Sequence, residues 1–218
     1  MRCKMLSVMT GTILTLAMVA QAGETNSNPV IVTVNVPGNA NPWLAGAPDG
    51  TIAGANFDVA PNQSPMEITG VPADSAAVFT FSVTGGTANG PGFTLQGPDG
   101  IESSVVSRSP GAENGIGDLK APMDALVGVF LDDETPGNSP PPGALDFGSA
   151  SARDFSTLAP ALRQPFFIGD GKTSDGTVQQ FVPPAGAKRL FLGVMDGYEW
   201  ANNPGSFTVK IAVVSRDH

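Results

Sequence analysis

Three observations predict an all-β fold, an antiparallel β-sandwich. Apolar residues alternate with polar or small ones over short stretches. Near the C-terminus, Phe207, Val209, Ile211 and Val213 alternate with Thr208, Lys210 and Ala212, the period of a strand with one buried face. Turn sequences bound these stretches, among them Pro48-Asp49-Gly50, Asn89-Gly90-Pro91 and Pro140-Pro141-Pro142. Helical spacing is confined to Phe155, Leu158 and Leu162, where Pro160 allows at most one short turn. The 27 glycines and 20 prolines among 218 residues would by themselves suggest disorder, but the strand pattern argues for a packed core.

In chain order the predicted strands are 30–36, 66–68, 77–83, 93–96, 105–107, 125–131, 166–168, 178–182, 190–194 and 207–214. Between the sixth and eighth, and including the seventh, lies a stretch, 132–176, rich in proline and glycine. Its large apolar residues, Leu145, Phe147, Phe155, Leu158, Leu162, Phe166, Phe167 and Ile168, are too many for a solvated linker, so it is expected to be a long loop insertion packed over one end of the sandwich. Residues 23–218 are expected to form a single domain, long enough to bury a core of its own.

The chain opens with Met1-Arg2-Cys3-Lys4, an apolar run and Ala20-Gln21-Ala22, the pattern of a secretory signal peptide cleaved after Ala22. Reading the run as a permanent membrane anchor is the alternative, but Ser7, Thr10, Gly11, Thr12 and Thr15 interrupt it. The mature protein is expected to be secreted, periplasmic or on the cell surface, without a membrane anchor. Cys3 is the one cysteine, so the mature chain has no disulfide to staple it. With 20 acidic residues against 11 basic ones and no basic run, nucleic acid and anionic membranes are poor partners.

Histidine is present only as His218, the last residue. A Ser-His-Asp or Cys-His mechanism needs a positioned imidazole, and zinc needs matched Cys, His or carboxylate ligands; neither is available. A glycosidase-like carboxylate pair, Asp196 with Glu199 or one drawn from Asp132, Asp133 and Glu134, carries no specific signal. The protein is not expected to be an enzyme.

The concentrated chemistry lies in Met195-Asp196-Gly197-Tyr198-Glu199-Trp200-Ala201-Asn202-Asn203-Pro204-Gly205, between two predicted strands. A carboxylate and two adjacent amides offer the hard oxygen ligands that calcium prefers. A hairpin turn whose Asp and Asn side chains bond their own backbone is the other reading. Tyr198 and Trp200 either stack on a sugar face or pack at the rim of the sandwich. Trp43 reads as core.

The 196–203 loop, followed by Gly205-Ser206-Phe207-Thr208-Val209-Lys210-Ile211, resembles the calcium loop and last strand of the PA-I-type galactophilic lectins. Val71-Pro72-Ala73-Asp74, Asn89-Gly90-Pro91, Gly97-Pro98-Asp99-Gly100, Asn114-Gly115-Ile116 and Phe181-Val182-Pro183 follow that family's order of features. The resemblance implies a jelly-roll-like, galactose-binding-domain-like sandwich that binds a galactose-like or other vicinal-diol sugar through calcium. It implies metal ligands from Asn89 and Glu199 through backbone oxygens and from Asp196, Asn202 and Asn203 through side chains, with Asn114 bonding the sugar. The loop is one residue shorter than the family's, Asn89 replaces a tyrosine, and the family's sugar-contacting histidine has no counterpart. The C-terminal half also resembles domains of bacterial cell-surface proteins. A structural or adhesive module with a purely structural calcium, or none, is the alternative, and a weak single site would favour a homo-oligomer.

Overall fold

In the computed structural model, residues 28–54 and 58–215 are described, so the predicted signal peptide lies outside the described residues. The strands in chain order are β1 (Val30–Pro37), β2 (Met66–Ile68), β3 (Ala77–Thr87), β4 (Ile101–Ser107), β5 (Leu119–Met123), β6 (Leu126–Leu131), β7 (Leu145–Asp146), β8 (Thr157–Leu158), β9 (Phe166–Phe167), β10 (Gln180–Phe181), β11 (Arg189–Val194) and β12 (Gly205–Ser215). They form three packed sheets, ordered β1-β12-β3-β10-β8, β2-β11-β6-β9 and β4-β5-β7, so the predicted all-β sandwich architecture is observed.

Strand composition follows the burial that each sheet imposes. In β12, Phe207, Val209, Ile211 and Val213 are buried while Thr208 and Lys210 face solvent, as expected for a sheet covered on one side. Every residue of β6 is buried, as are all of β11 except Arg189, which is why both read as unbroken apolar runs without alternation. Phe79 of β3 meets Phe130 of β6 at 5.6 Å between ring centroids, Phe130 meets Phe166 at 5.2 Å, and Phe166 meets Phe181 at 5.6 Å. This aromatic chain joins two sheets and the insertion in one core.

The 132–176 insertion packs as expected: Phe147, Phe166, Phe167 and Ile168 are buried, and Leu145, Phe155, Leu158 and Leu162 pack against the core. Its single α-helical turn is Ala150–Arg153, capped by the Ser149 hydroxyl, which accepts from the Ala152 N–H. That turn lies upstream of the Phe155, Leu158 and Leu162 spacing, whose residues are held instead by an extended chain that includes β8. Among the described residues no helix is long and apolar enough to cross a membrane.

Four sequence expectations need correction. Residues 93–96 are not a strand: only Gln96 makes a bridge, to Thr87, because the loop from Asn89 bulges outward through Gly90-Pro91-Gly92. The 178–182 strand contracts to β10, whose Phe181 is the one residue paired with β3. The 125–131 strand begins one residue later, at Leu126, and β5 was not expected, because Lys120 and Pro122 disguise its buried Leu119 and Ala121.

Phe181 pairs with β3 and touches the rings of Phe81, Phe155 and Phe166. Phe181→Ala is expected to lower stability by about 3–5 kcal/mol, read by urea denaturation; a loss under about 1 kcal/mol would mean that the insertion collapses onto the vacated space.

Candidate functional site

Strand register brings the site together. β6 and β11 are antiparallel, with Val194 opposite Leu126, and the pairing continues past their ends. The Met195 N–H donates to the Ala125 carbonyl at 2.8 Å, and the Asp124 N–H donates to the Met195 carbonyl at 2.8 Å. Asp124 and Asp196, far apart in sequence, therefore become neighbours at the mouth of the 196–203 loop.

Asp124 was not expected from the sequence. It is 0% exposed, and neither carboxylate oxygen has a hydrogen-bond partner. Its backbone is left-handed, with φ of 69°, a conformation that Asp tolerates better than most residues. The Thr87 hydroxyl donates to its carbonyl at 3.1 Å. Burial, then the charge of Asp196, pushes the Asp124 carboxyl up to about 7.

Asp196 is also buried. Its Oδ1 accepts the Gly197 and Tyr198 N–H groups, and its Oδ2 accepts the Asn203 amide at 2.8 Å. Burial raises its pKa, against the lowering effect of these three hydrogen bonds. Asn203 is buried as well, and its Oδ1 has no partner. The predicted self-bonding turn is thus present, yet it leaves three inward oxygens unused: both of Asp124 and one of Asn203. Buried polar atoms are normally satisfied, so each of these calls for a partner.

Asp58 anchors the loop from beneath. It is fully buried and accepts the Trp200 N–H at 3.0 Å, the Ala201 N–H at 2.9 Å and the Asn41 amide at 3.3 Å. Burial raises its pKa, opposed by those donors. Trp200 itself is 0% exposed. Its ring meets Trp43 at 5.5 Å, its indole N–H donates to the Val194 carbonyl at 2.7 Å, and the buried Arg108 guanidinium lies 4.7 Å over Trp43 and 5.9 Å from Trp200.

The expected sugar contacts separate on this evidence. Trp200 has no open face for stacking; it is the loop's core anchor, and this corrects the stacking reading. Asn114 spends its amide hydrogens on the Trp43 and Ile52 carbonyls, each at 3.1 Å, so it fixes backbone in a left-handed turn rather than offering those donors to a ligand. Tyr198 is exposed. Among the expected metal ligands, Asn202 is exposed and Glu199 half-buried at the outer rim. Asn89 is half-buried beside Ala88, whose N–H donates to the Pro204 carbonyl at 3.1 Å. Asp196 and Asn203 are directly bonded to each other.

Among the described residues no three His, Cys, Asp or Glu side chains gather into a cluster. The set here is two carboxylates, Asn203 Oδ1 and nearby backbone oxygens. That chemistry fits a hard cation taking six to eight oxygens, whereas zinc or copper would want nitrogen or sulfur. The Asp124 carboxylate, its oxygens unused and its neighbour Asp196 of like charge, needs either a proton or a cation.

Two outcomes follow. With chelator present, Asp124 binds a proton in the folded state up to about pH 7 but in the unfolded state only to its ordinary 3.8. Its contribution to stability is full below about pH 4 and lost as pH rises to about 7, on the order of 4 kcal/mol. Denaturant titrations of the native protein and Asp124→Asn should diverge over that window; parallel profiles would refute the assignment. Asp58→Ala strands the buried Trp200 N–H and frees the part-buried Ala201 N–H and the Asn41 amide, and should cost about 2–4 kcal/mol, read as a lowered melting temperature.

Comparison of the chain with protein-family models, with curated proteins and with solved structures found no match.

Proposed function

We propose that the protein is a calcium-dependent carbohydrate-binding protein, lectin-like in action, whose cation sits between Asp124 and the 196–203 loop. One observation carries the reading: both Asp124 carboxylate oxygens and Asn203 Oδ1 are buried without a hydrogen-bond partner, on residues adjoining Asp196. Asp124 and Asp196 supply the charge, Asn203 and Asn202 supply amide oxygens, and Asn89 and Glu199 supply backbone oxygens from the rim. Asp196 already holds Asn203 in place, and Asp58 holds the Trp200-Ala201 backbone, so the site is preorganised by hydrogen bonds that need no metal.

When bound, calcium supplies an electrophilic centre on which two neighbouring sugar hydroxyls replace water. The polarity of the site supports an open outer side. Asp124, Asp196 and Asn203 are buried, while Asn202 is exposed and Asn89 and Glu199 half-buried. Hydroxyl ligands approach from that rim. The protein's share of binding is to hold the oxygens, exclude water from the inner side and leave the outer side free.

A purely structural calcium is favoured by the depth of Asp124, and the two readings part on whether sugar adds to the effect of the ion. Calcium at about a hundred times its dissociation constant should stabilise the protein by about 2.7 kcal/mol, raising the melting temperature by several degrees. Chelator should reverse this, and Asp196→Ala or Asn203→Ala should abolish it. A monosaccharide panel should raise the melting point further only with calcium present. No shift with calcium sinks both readings; a calcium shift to which no sugar adds leaves the structural one. Because Asp124 is protonated below about pH 7, calcium loading near pH 6 should release about one proton, seen as a buffer-dependent heat in calorimetry.

A further inference from the structure

The edge strand of a sheet presents backbone groups that another chain can pair with, so folded proteins keep such edges short, bulged or charged. Among the described residues, five of the six edge strands are blunted in this way. β7, β8 and β9 are two residues long, and β2 is three residues long with Glu67 at its centre. β4 carries Glu102 and a break in register between Ile101 and Val105. β1 is the exception: eight residues in unbroken register with β12, with no charged side chain and no proline before its last position.

The register fixes which groups of β1 lie on the open side. The Gly38 N–H donates to the Gly205 carbonyl at 2.9 Å, continuing the β1–β12 ladder. Hydrogen-bonded pairs recur at every second residue of an antiparallel ladder. Val30, Val32, Val34 and Val36 therefore bond to β12, while Ile31, Thr33 and Asn35 direct their N–H and C=O groups away from it. Among the described residues no backbone hydrogen bond reaches these outward groups. Pro37 also falls on the open side, where its missing N–H costs the ladder nothing.

The side chains of β1 match a second copy of the same strand. The four valines share the inner face, and Ile31, Thr33 and Asn35, all exposed, share the outer one. Turned about a two-fold axis at Thr33, the strand sets Val32 against Val34, Val30 against Val36, Thr33 against Thr33 and Ile31 against Asn35. Every valine then meets a valine, and about six backbone hydrogen bonds close between the outward groups. Val30, Ile31 and Val214, which are 42%, 53% and 38% exposed, place three large apolar side chains at one end of this sheet. The chain's net charge of −9 opposes association in general, but β1 itself is uncharged. Lys210, opposite Thr33 on β12, would lie three strand spacings from its copy, about 14 Å, beyond the screening length in physiological salt.

We propose that the protein is a two-fold dimer in which β1 pairs antiparallel with β1 of a second copy about Thr33, joining two five-stranded sheets into one of ten strands. The assembly is closed. It uses the open edge of both copies, and the two-residue β8 at each far end stops further growth. Neither calcium nor sugar takes part in this contact.

The test is sedimentation of the full-length protein at about 100 μM, which should show a single species of twice the monomer mass that dissociates on dilution. Thr33→Pro removes the outward N–H of each copy without touching a β1–β12 hydrogen bond. It should retain the native circular dichroism and weaken dimerisation at least about 30-fold. In a Cys3→Ser background, Thr33→Cys should form a disulfide-linked dimer on mild oxidation, because the Cα atoms of a hydrogen-bonded antiparallel pair lie about 5.5 Å apart. Asn35→Cys should not, since its copy lies four residues along the partner strand, about 13 Å away. A native protein that stays monomeric overturns the pairing, and that is the result expected if the edge instead receives a strand of another protein. A dimer that survives Thr33→Pro in a folded variant overturns it too. Cross-linking of Asn35→Cys as readily as Thr33→Cys overturns the two-fold at Thr33, and this comparison decides the register whether or not Thr33→Pro folds.

Discussion

The reciprocal backbone hydrogen bonds between the Asp124-Ala125 corner and Met195 decide which buried carboxylates of this protein become neighbours. They extend the β6–β11 ladder two residues beyond the strands, and the extension sets one carboxylate opposite another. Like charges facing each other across a ladder are destabilising, and here the environment adds desolvation. The fold tolerates the arrangement by surrounding it with compensation. Asp196 is satisfied by two N–H groups and an amide, Asp58 clamps the far end of the loop, and the Trp43-Trp200 pair with Arg108 packs underneath. Asp124 alone receives nothing. Its two oxygens, with Asn203 Oδ1 and Arg108 Nε nearby, are the buried polar atoms of this neighbourhood without a hydrogen-bond partner.

The architecture explains why the site is rigid where it is deep and open where it is shallow. Its inner residues extend from β6 and β11, strands buried almost throughout, so they inherit the positional precision of the core. Its outer residues, Asn89, Asn202 and Glu199, sit on loops whose bases are pinned by backbone hydrogen bonds. The buried carboxylates thus extend from the rigid strands, and the exposed and half-buried polar groups from the loops.

Much of the fold was legible in residue patterns. The period-two alternation of Phe207 to Val213 located β12, and the apolar runs located β6 and β11, because burial on one or both faces leaves a direct mark on composition. The two-residue strands β7 and β8 leave no such mark, and Phe93 with Leu95 mimicked a strand because alternation records side-chain direction without recording pairing. Within the site, Asp196 and Asn203 were readable as neighbours on one tight loop. Asp124 was not, because its role depends on the register of two strands distant in sequence. For the same reason the sequence left Trp200 between stacking and packing: its partner Trp43 is brought beneath it only by tertiary structure. Asp58, contributed from near the chain's start, was equally hidden.

β1 and β12, the first and last strands, lie side by side along eight paired positions, and Asp58 reaches the loop that precedes β12 across 142 residues. Contacts of such separation cannot form until nearly the whole chain is in place, and they make folding slow relative to a helical protein of equal size. The oxygen set is therefore assembled late. A chain stalled before its last strand lacks the β12 pairing that holds the 196–203 loop against Asp58 and Asp124. The pairing of Asp124 with the 196–203 loop is thus a feature only of the completed fold.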